Sequence, residues 1–390
     1  MVWLVASLDG LPHLGATLAI VLYAWLLFGV DFVPQKLHLA AHAVALVLFA
    51  AMKWAWVDGL LDRTSGHWNV WEYVPVLNPF MGLGVLVAAS LTSMVWLKQA
   101  AFERLLSAYL GRSLSSAAFL FTLAILVLAI LTVGLSLEAD RLVERAAAAG
   151  HRLVWSVVNL KLFALTILWL TTVLVLAFIG RRVGFQTVLP WTLFLLVAGK
   201  FLLIDMLVMR MINTPGPAPV TVVLNLQVLT AVLLLAGFFC LTRLSPLPPP
   251  TISPDNGGVD EAVQVLRLSA NSIALLIVLL AATLEIDRAF ATSLAASFSD
   301  PHLAEEVAIS IFWSFFAIAA VLAGFRYWSA GLRLFGLTLF GITVLKVLLI
   351  DLREVRFGYR ILSLLGLGLL LLATSVVYGK VGSKRLQQRD

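Results

Sequence analysis

Cysteine is almost missing from this 390-residue chain, and charge is scarce. The one cysteine, Cys240, lies inside an apolar run, which excludes a disulfide framework and any cysteine-based metal cluster. Charged residues make up 12% of the total, against a globular norm of roughly 25%. There is no P-loop, no dinucleotide-type Gly-rich turn after a strand, no Gly-x-Ser-x-Gly elbow and no Cys pair. These absences leave no footing for soluble cofactor chemistry, and no cofactor is implied. The formal charge of +6 is spread between apolar runs, so it does not point to nucleic acid.

What is abundant is apolar surface. Hydrophobic residues reach 61%, with 23 Phe and 12 Trp. A water-soluble fold cannot bury that much apolar side chain, so the bilayer must act as solvent. Eleven runs approach the roughly 20 residues that a helix needs to cross hydrocarbon. They lie near 12–30, 37–57, 78–97, 117–137, 155–180, 187–205, 220–241, 265–285, 306–325, 332–351 and 360–379. The runs are continuous rather than alternating, which favours helices over barrel strands. The expected fold is all-α, a polytopic transmembrane helix bundle of about eleven spans. Met1 to Leu8 has no basic segment before it and no small-residue cleavage site after it, so no signal peptide is expected.

Lys and Arg set the orientation. One set of connections, with the C-terminal tail, holds 14 Lys and Arg against 6 Asp and Glu; the opposite set holds 9 against 15. The positive-inside rule then puts the C-terminus in the cytoplasm. Pro246-Leu247-Pro248-Pro249-Pro250 and Pro254-Asp255-Asn256-Gly257-Gly258 read as a semi-rigid linker over 246–262.

Self-comparison shows an internal repeat. Leu137-Glu138-Ala139-Asp140-Arg141 recurs as Leu284-Glu285-Ile286-Asp287-Arg288, 147 residues on. Lys200-Phe201-Leu202-Leu203-Ile204-Asp205 recurs as Lys346-Val347-Leu348-Leu349-Ile350-Asp351, and Lys53 with Asp58 forms a third Lys-x-x-x-x-Asp. Leu224-Asn225 falls 147 after Leu77-Asn78. The reading is a four-helix unit used nearly three times in one orientation: 1–100 a partial repeat of three spans, 101–245 a second of four, and 263–390 a third of four with a basic tail.

These markers make a charged seam of Lys53, Asp58, Glu138, Asp140, Arg141, Lys200, Asp205, Glu285, Asp287, Arg288, Lys346 and Asp351. In an α-helix, residues five apart stand roughly 140° apart around the axis, a poor pair. Each lysine is therefore expected to seek a carboxylate on another helix. Lys200 would face Glu138 or Asp140, Lys346 would face Glu285 or Asp287, and Lys53 would use Asp9, Asp62 or Glu72. Such pairs either fasten helices or line a path.

Other features have bland readings. His38 and His42 share a helix face, but no third ligand is near, so no metal site is expected. Asp300-Pro301-His302 with Glu305 and Glu306 suits a helix start. Trp54, Trp56, Trp68, Trp71 and Tyr73 read as an interfacial aromatic belt. Gly331, Gly336, Gly341, Gly366 and Gly368 offer small faces for helix contact. The stretches 101–116 and 141–152 read as amphipathic connectors on the membrane surface.

The segment Gly331-Leu332-Arg333-Leu334-Phe335-Gly336-Leu337, then Lys346 to Asp351, then Tyr359-Arg360-Ile361-Leu362-Ser363-Leu364-Leu365-Gly366-Leu367-Gly368 resembles the C-terminal end of a family. It is similar to bacterial predicted membrane proteins of the domain-of-unknown-function 2339 family, over roughly 265–380. The resemblance implies a bacterial inner-membrane location and a multi-pass topology, and it implies no activity. The favoured function is a non-catalytic envelope scaffold or partner-binding membrane subunit. A transporter using the charged seam is the alternative, and a membrane enzyme acting on a lipid-linked substrate is third, so the enzyme question leans to no. The expected partners are the lipid bilayer and other membrane or envelope proteins.

Overall fold

The computed structural model describes residues 13–31, 37–61, 74, 78–110, 115–149, 157–183, 188–208, 222, 225–244, 257–294, 298, 300–327, 329–348, 365, 368–369 and 372. Among them every regular element is helical, as the continuous apolar runs require. In chain order they are α1 (His13–Val30), α2 (Leu37–Lys53), π1 (Trp54–Leu61), α3 (Pro79–Leu97), α4 (Gln99–Leu110), α5 (Ser116–Ala148), α6 (Val157–Val183) and α7 (Leu189–Lys200). There follow π2 (Phe201–Val208), α8 (Leu226–Leu244), α9 (Gly257–Ala289), π3 (Phe290–Leu294), α10 (Pro301–Arg326) and α11 (Ala330–Lys346). The three π elements are helices with i→i+5 bonding, a rare geometry often found at functional sites.

Among the described residues, eight helical runs are long and apolar enough to cross a membrane: α2 into π1, α3, α5, α6, α7 into π2, α8, α9 into π3, and α10. Leu14–Val30 within α1 is apolar but shorter. The span expected at 360–379 lies outside the described residues, isolated helical positions apart.

Local chemistry fixes where these helices begin. Asn78 caps α3 by accepting from the Met81 N–H, with Pro79 in the first turn where its missing N–H costs nothing. Ser115 does the same for α5, Asp300 for α10 with Pro301 behind it, and Ser329 for α11. The acidic segment at 300 is thus a helix start, as its composition suggests. Two helices run farthest past their expected bounds. α5 runs on through Arg141 to Ala148 because Glu144, Arg145 and the alanines after it are good helix formers, so 142–148 is helix and not a separate surface connector. α9 begins at Gly257, which takes residues 257–262 out of the expected linker.

The chain divides into two compact units, Met1–Thr214 with Leu224–Ala270, and Pro215–Val223 with Asn271–Asp390. In the first, α1, α2, α3 and α5 bury Val21, Phe28, Val47, Leu91 and Met94. A second cluster gathers on Trp54, which stacks on Phe80 at 4.7 Å and donates its indole N–H to the Phe80 carbonyl at 2.8 Å. Trp54 is 1% exposed, so it leaves the expected aromatic belt and joins the core. Trp56 is exposed; Trp68, Trp71 and Tyr73 lie outside the described residues. In the second unit, Leu279, Ala317, Leu339 and Phe340 form the core, and Gly336 lets α11 press against Val321 and the Ala317 carbonyl. Outward faces carry large apolar side chains such as Leu26, Met52, Trp96, Phe315 and Leu334, as suits lipid contact.

Gly84 and Gly134 make room for the Trp54 indole, since a Cβ at either would collide with its ring atoms. Gly84→Ala and Gly134→Ala are therefore expected to lower stability by about 1–3 kcal/mol. Gly82→Ala, which meets open space, serves as the neutral control. Thermal unfolding of detergent-solubilised protein checks all three.

Candidate functional site: ammonium groups at π turns

Each of the three repeated lysines is the last residue of its α-helix. Lys53 closes α2, Lys200 closes α7 and Lys346 closes α11. In each case the chain then enters π geometry, at Trp54, Phe201 and Val347. An i→i+5 helix brings residues five apart onto one face. The pair that α geometry would separate is thereby joined. Lys53 Nζ lies 2.7 Å from Asp58 Oδ1, and Lys200 Nζ lies 2.9 Å from Asp205 Oδ2.

A hydroxyl from another helix completes each group. Lys53 Nζ donates to Thr17 Oγ1 at 2.8 Å, and that hydroxyl donates to Asp58 Oδ2 at 2.6 Å. Thr17 on α1 and Asp58 in π1 are both buried, and they close a three-member ring with the ammonium. Lys200 Nζ donates to Thr166 Oγ1 at 2.8 Å and to the Leu162 carbonyl at 3.0 Å, besides Asp205. Its three N–H donors thus have three acceptors. The Thr166 hydroxyl also reaches Asp205 Oδ2 at 2.9 Å. Lys346 Nζ donates to Ser310 Oγ at 3.0 Å and to Glu306 Oε2 at 2.5 Å, both on α10. Asp351 lies outside the described residues.

Two of the three expected cross-helix pairings are therefore corrected. Lys200 does not meet Glu138 or Asp140, because its own π turn supplies the carboxylate. Lys346 meets Glu306 instead of Glu285 or Asp287. Lys53 meets Asp58; Asp9, Asp62 and Glu72 lie outside the described residues. The acids of the Glu-x-Asp-Arg segments have other work. Asp140 Oδ1 and Glu144 Oε1 clasp Lys161 of α6 at 2.7 and 2.6 Å. Glu138 accepts from Asn78 Nδ2 at 3.0 Å and pairs with Arg141 at 3.4 Å, while the Arg141 guanidinium lies 4.5 Å over the Phe80 ring. In the second unit Glu285 pairs with Arg288.

Sequence reasoning missed Thr17, Thr166, Ser310, Glu306, Lys161 and Asn78 as members. One signal was available. Thr166 and Ser310 stand 34 and 36 residues before their lysines, and each is followed three residues later by a tryptophan. Those tryptophans also bond across helices, Trp169 to Ser136 at 3.1 Å and Trp313 to Thr283 at 2.9 Å.

Beside the Lys200 group, Gln227 donates to the Asp205 backbone carbonyl at 2.9 Å. A small recess lies here, lined in part by Asn159, Phe163, Asp205, Gln227 and Thr230. Asp205 Oδ1 and Gln227 Oε1 are buried without hydrogen-bond partners. Among the described residues no cluster of three His, Cys, Asp or Glu side chains is arranged to hold a metal.

Residues 207–381 match the family described as predicted membrane protein, DUF2339. The match reaches back well beyond the segment whose motifs carry the resemblance, and covers Lys346, Glu306, Ser310 and the Glu285-x-Asp287-Arg288 segment. It places this part of the chain in a membrane, and its description names no reaction. Neither a curated protein nor a solved structure matches the chain.

Removing one member of such a group strands the other. Lys200→Met is expected to cost about 3–5 kcal/mol, because Asp205 is left as a buried uncompensated charge. Lys200→Met combined with Asp205→Leu should recover most of that loss. Thr166→Val alone should cost about 1–3 kcal/mol. A double-mutant cycle followed by unfolding in detergent measures all of these.

Proposed function

We propose that this protein is a multi-pass bacterial inner-membrane component with its C-terminus in the cytoplasm. It acts as a non-catalytic envelope scaffold or partner-binding subunit, assembled from near-threefold parallel repeats and held by Lys–carboxylate–hydroxyl groups. The observation that carries this reading is the saturation of the ammonium groups. Each half-buried lysine spends its donors on a carboxylate and on a hydroxyl of a packed helix. A group closed in this way clamps helices and keeps little capacity for a passing solute. The recess by Asp205 also has room for only about one water molecule, at about 10 Å³. Recurrence of a lysine where α2, α7 and α11 pass into π geometry supports the repeat, and the bias of Lys and Arg among the connections supports the orientation.

Transport is the second reading, favoured by one observation: the unpartnered oxygens of Asp205 and Gln227 beside that recess. The two readings part under mutation. As a scaffold, Lys200→Ala and Lys346→Ala should lower membrane abundance and any cellular phenotype together, and the intact chain should co-purify with a stoichiometric membrane partner. Loss of a flux with abundance unchanged would instead favour transport. Quantitative immunoblotting of membranes, alongside native purification, reads both.

A further inference from the structure

The packed helices α6 and α8 both finish in arginine, Arg181 and Arg182 in the last turn of one and Arg243 in the last turn of the other. Arg181 Nη1 donates to the Arg243 backbone carbonyl at 2.9 Å, which satisfies an end-of-helix carbonyl and fixes the two residues side by side. Arg182 lies 5.2 Å over the Phe178 ring and Arg243 lies 5.0 Å over the Phe239 ring. Each ring is four residues back on its own helix. Both are open to the outside, at 46% and 59% exposure. Each guanidinium therefore stands at the polar end of an exposed aromatic face.

All three arginines are exposed, and among the described residues no carboxylate pairs with any of them. Lys98, elsewhere in the same unit, is by contrast closed by Asp31. The fold thus gathers like charges at the end of two spans, with no carboxylate to answer them among the described residues. A phosphodiester presents paired oxygens that match the guanidinium fork, and the phenyl rings suit the acyl chains beneath it.

We infer that Arg181, Arg182 and Arg243, with Phe178 and Phe239, form a headgroup site for an anionic phospholipid. Native mass spectrometry of the full chain in mild detergent tests it, with phosphatidylglycerol and phosphatidylcholine of equal acyl length added in equal amounts. The wild type should retain phosphatidylglycerol preferentially. Arg181→Gln/Arg182→Gln/Arg243→Gln should reduce that preference by roughly tenfold or more. Arg182→Gln alone, which removes only the contact with the Phe178 ring, should reduce it by about fivefold and keeps the test open should the triple variant misfold. Equal retention of the two lipids by the wild type, or an unchanged preference in Arg182→Gln, overturns the site. Complete displacement of the lipid by inorganic phosphate also overturns it, assigning the cluster to a free anion.

Discussion

An ammonium group inside a membrane-spanning helix is tolerable only where its charge is answered and its donors are occupied. That constraint organises this protein. Lysine five residues ahead of aspartate is a poor pair on an α-helix, yet the backbone changes its hydrogen bonding at Trp54 and at Phe201 so that the two meet. The π turn follows from the charge as much as the reverse. Asp58 has a side chain 1% exposed, and a buried carboxylate of that kind would be very costly without Lys53.

The hydroxyls turn a local pair into a fastening between helices. Thr17 ties α1 to the end of α2, Thr166 ties α6 to the end of α7, and Ser310 with Glu306 ties α10 to the end of α11. Lys161 with Asp140 and Glu144, and Asn78 with Glu138, add links of the same character. Lipid is as apolar as the helix faces, so burial of apolar surface discriminates weakly between helix arrangements in a bilayer. Directional polar links and close contacts at small residues, such as Gly84 against Trp54, carry the specificity instead.

Much of this was legible in the sequence. Continuous apolar runs marked the helices, and the spacing of Lys53, Lys200 and Lys346 from Asp58, Asp205 and Asp351 marked where charge enters them. The geometry of those pairs was not legible, because 100° per residue was assumed through a segment that abandons it. The partners were consequently sought on the Glu-x-Asp-Arg helix. Thr17, Thr166 and Ser310 do not stand out in the sequence, because an isolated hydroxyl in an apolar run commonly bonds its own backbone, as Thr171 does with the Ile167 carbonyl. Trp54 was assigned to the interface on residue type, whereas the space left by Gly84 and Gly134 draws it inward.

The central claim is that π geometry, not proximity in sequence, joins lysine to aspartate. Moving the carboxylate by one residue tests it most directly, by comparing Asp205→Leu with Ile204→Asp/Asp205→Leu in thermal unfolding. Ile204 is 42% exposed and sits where an α-helix would place the partner of Lys200, but where a π turn directs the side chain outward. The account predicts that the relocated acid restores nothing and both variants unfold at the same lowered temperature. Recovery toward the wild-type temperature on relocation would contradict it.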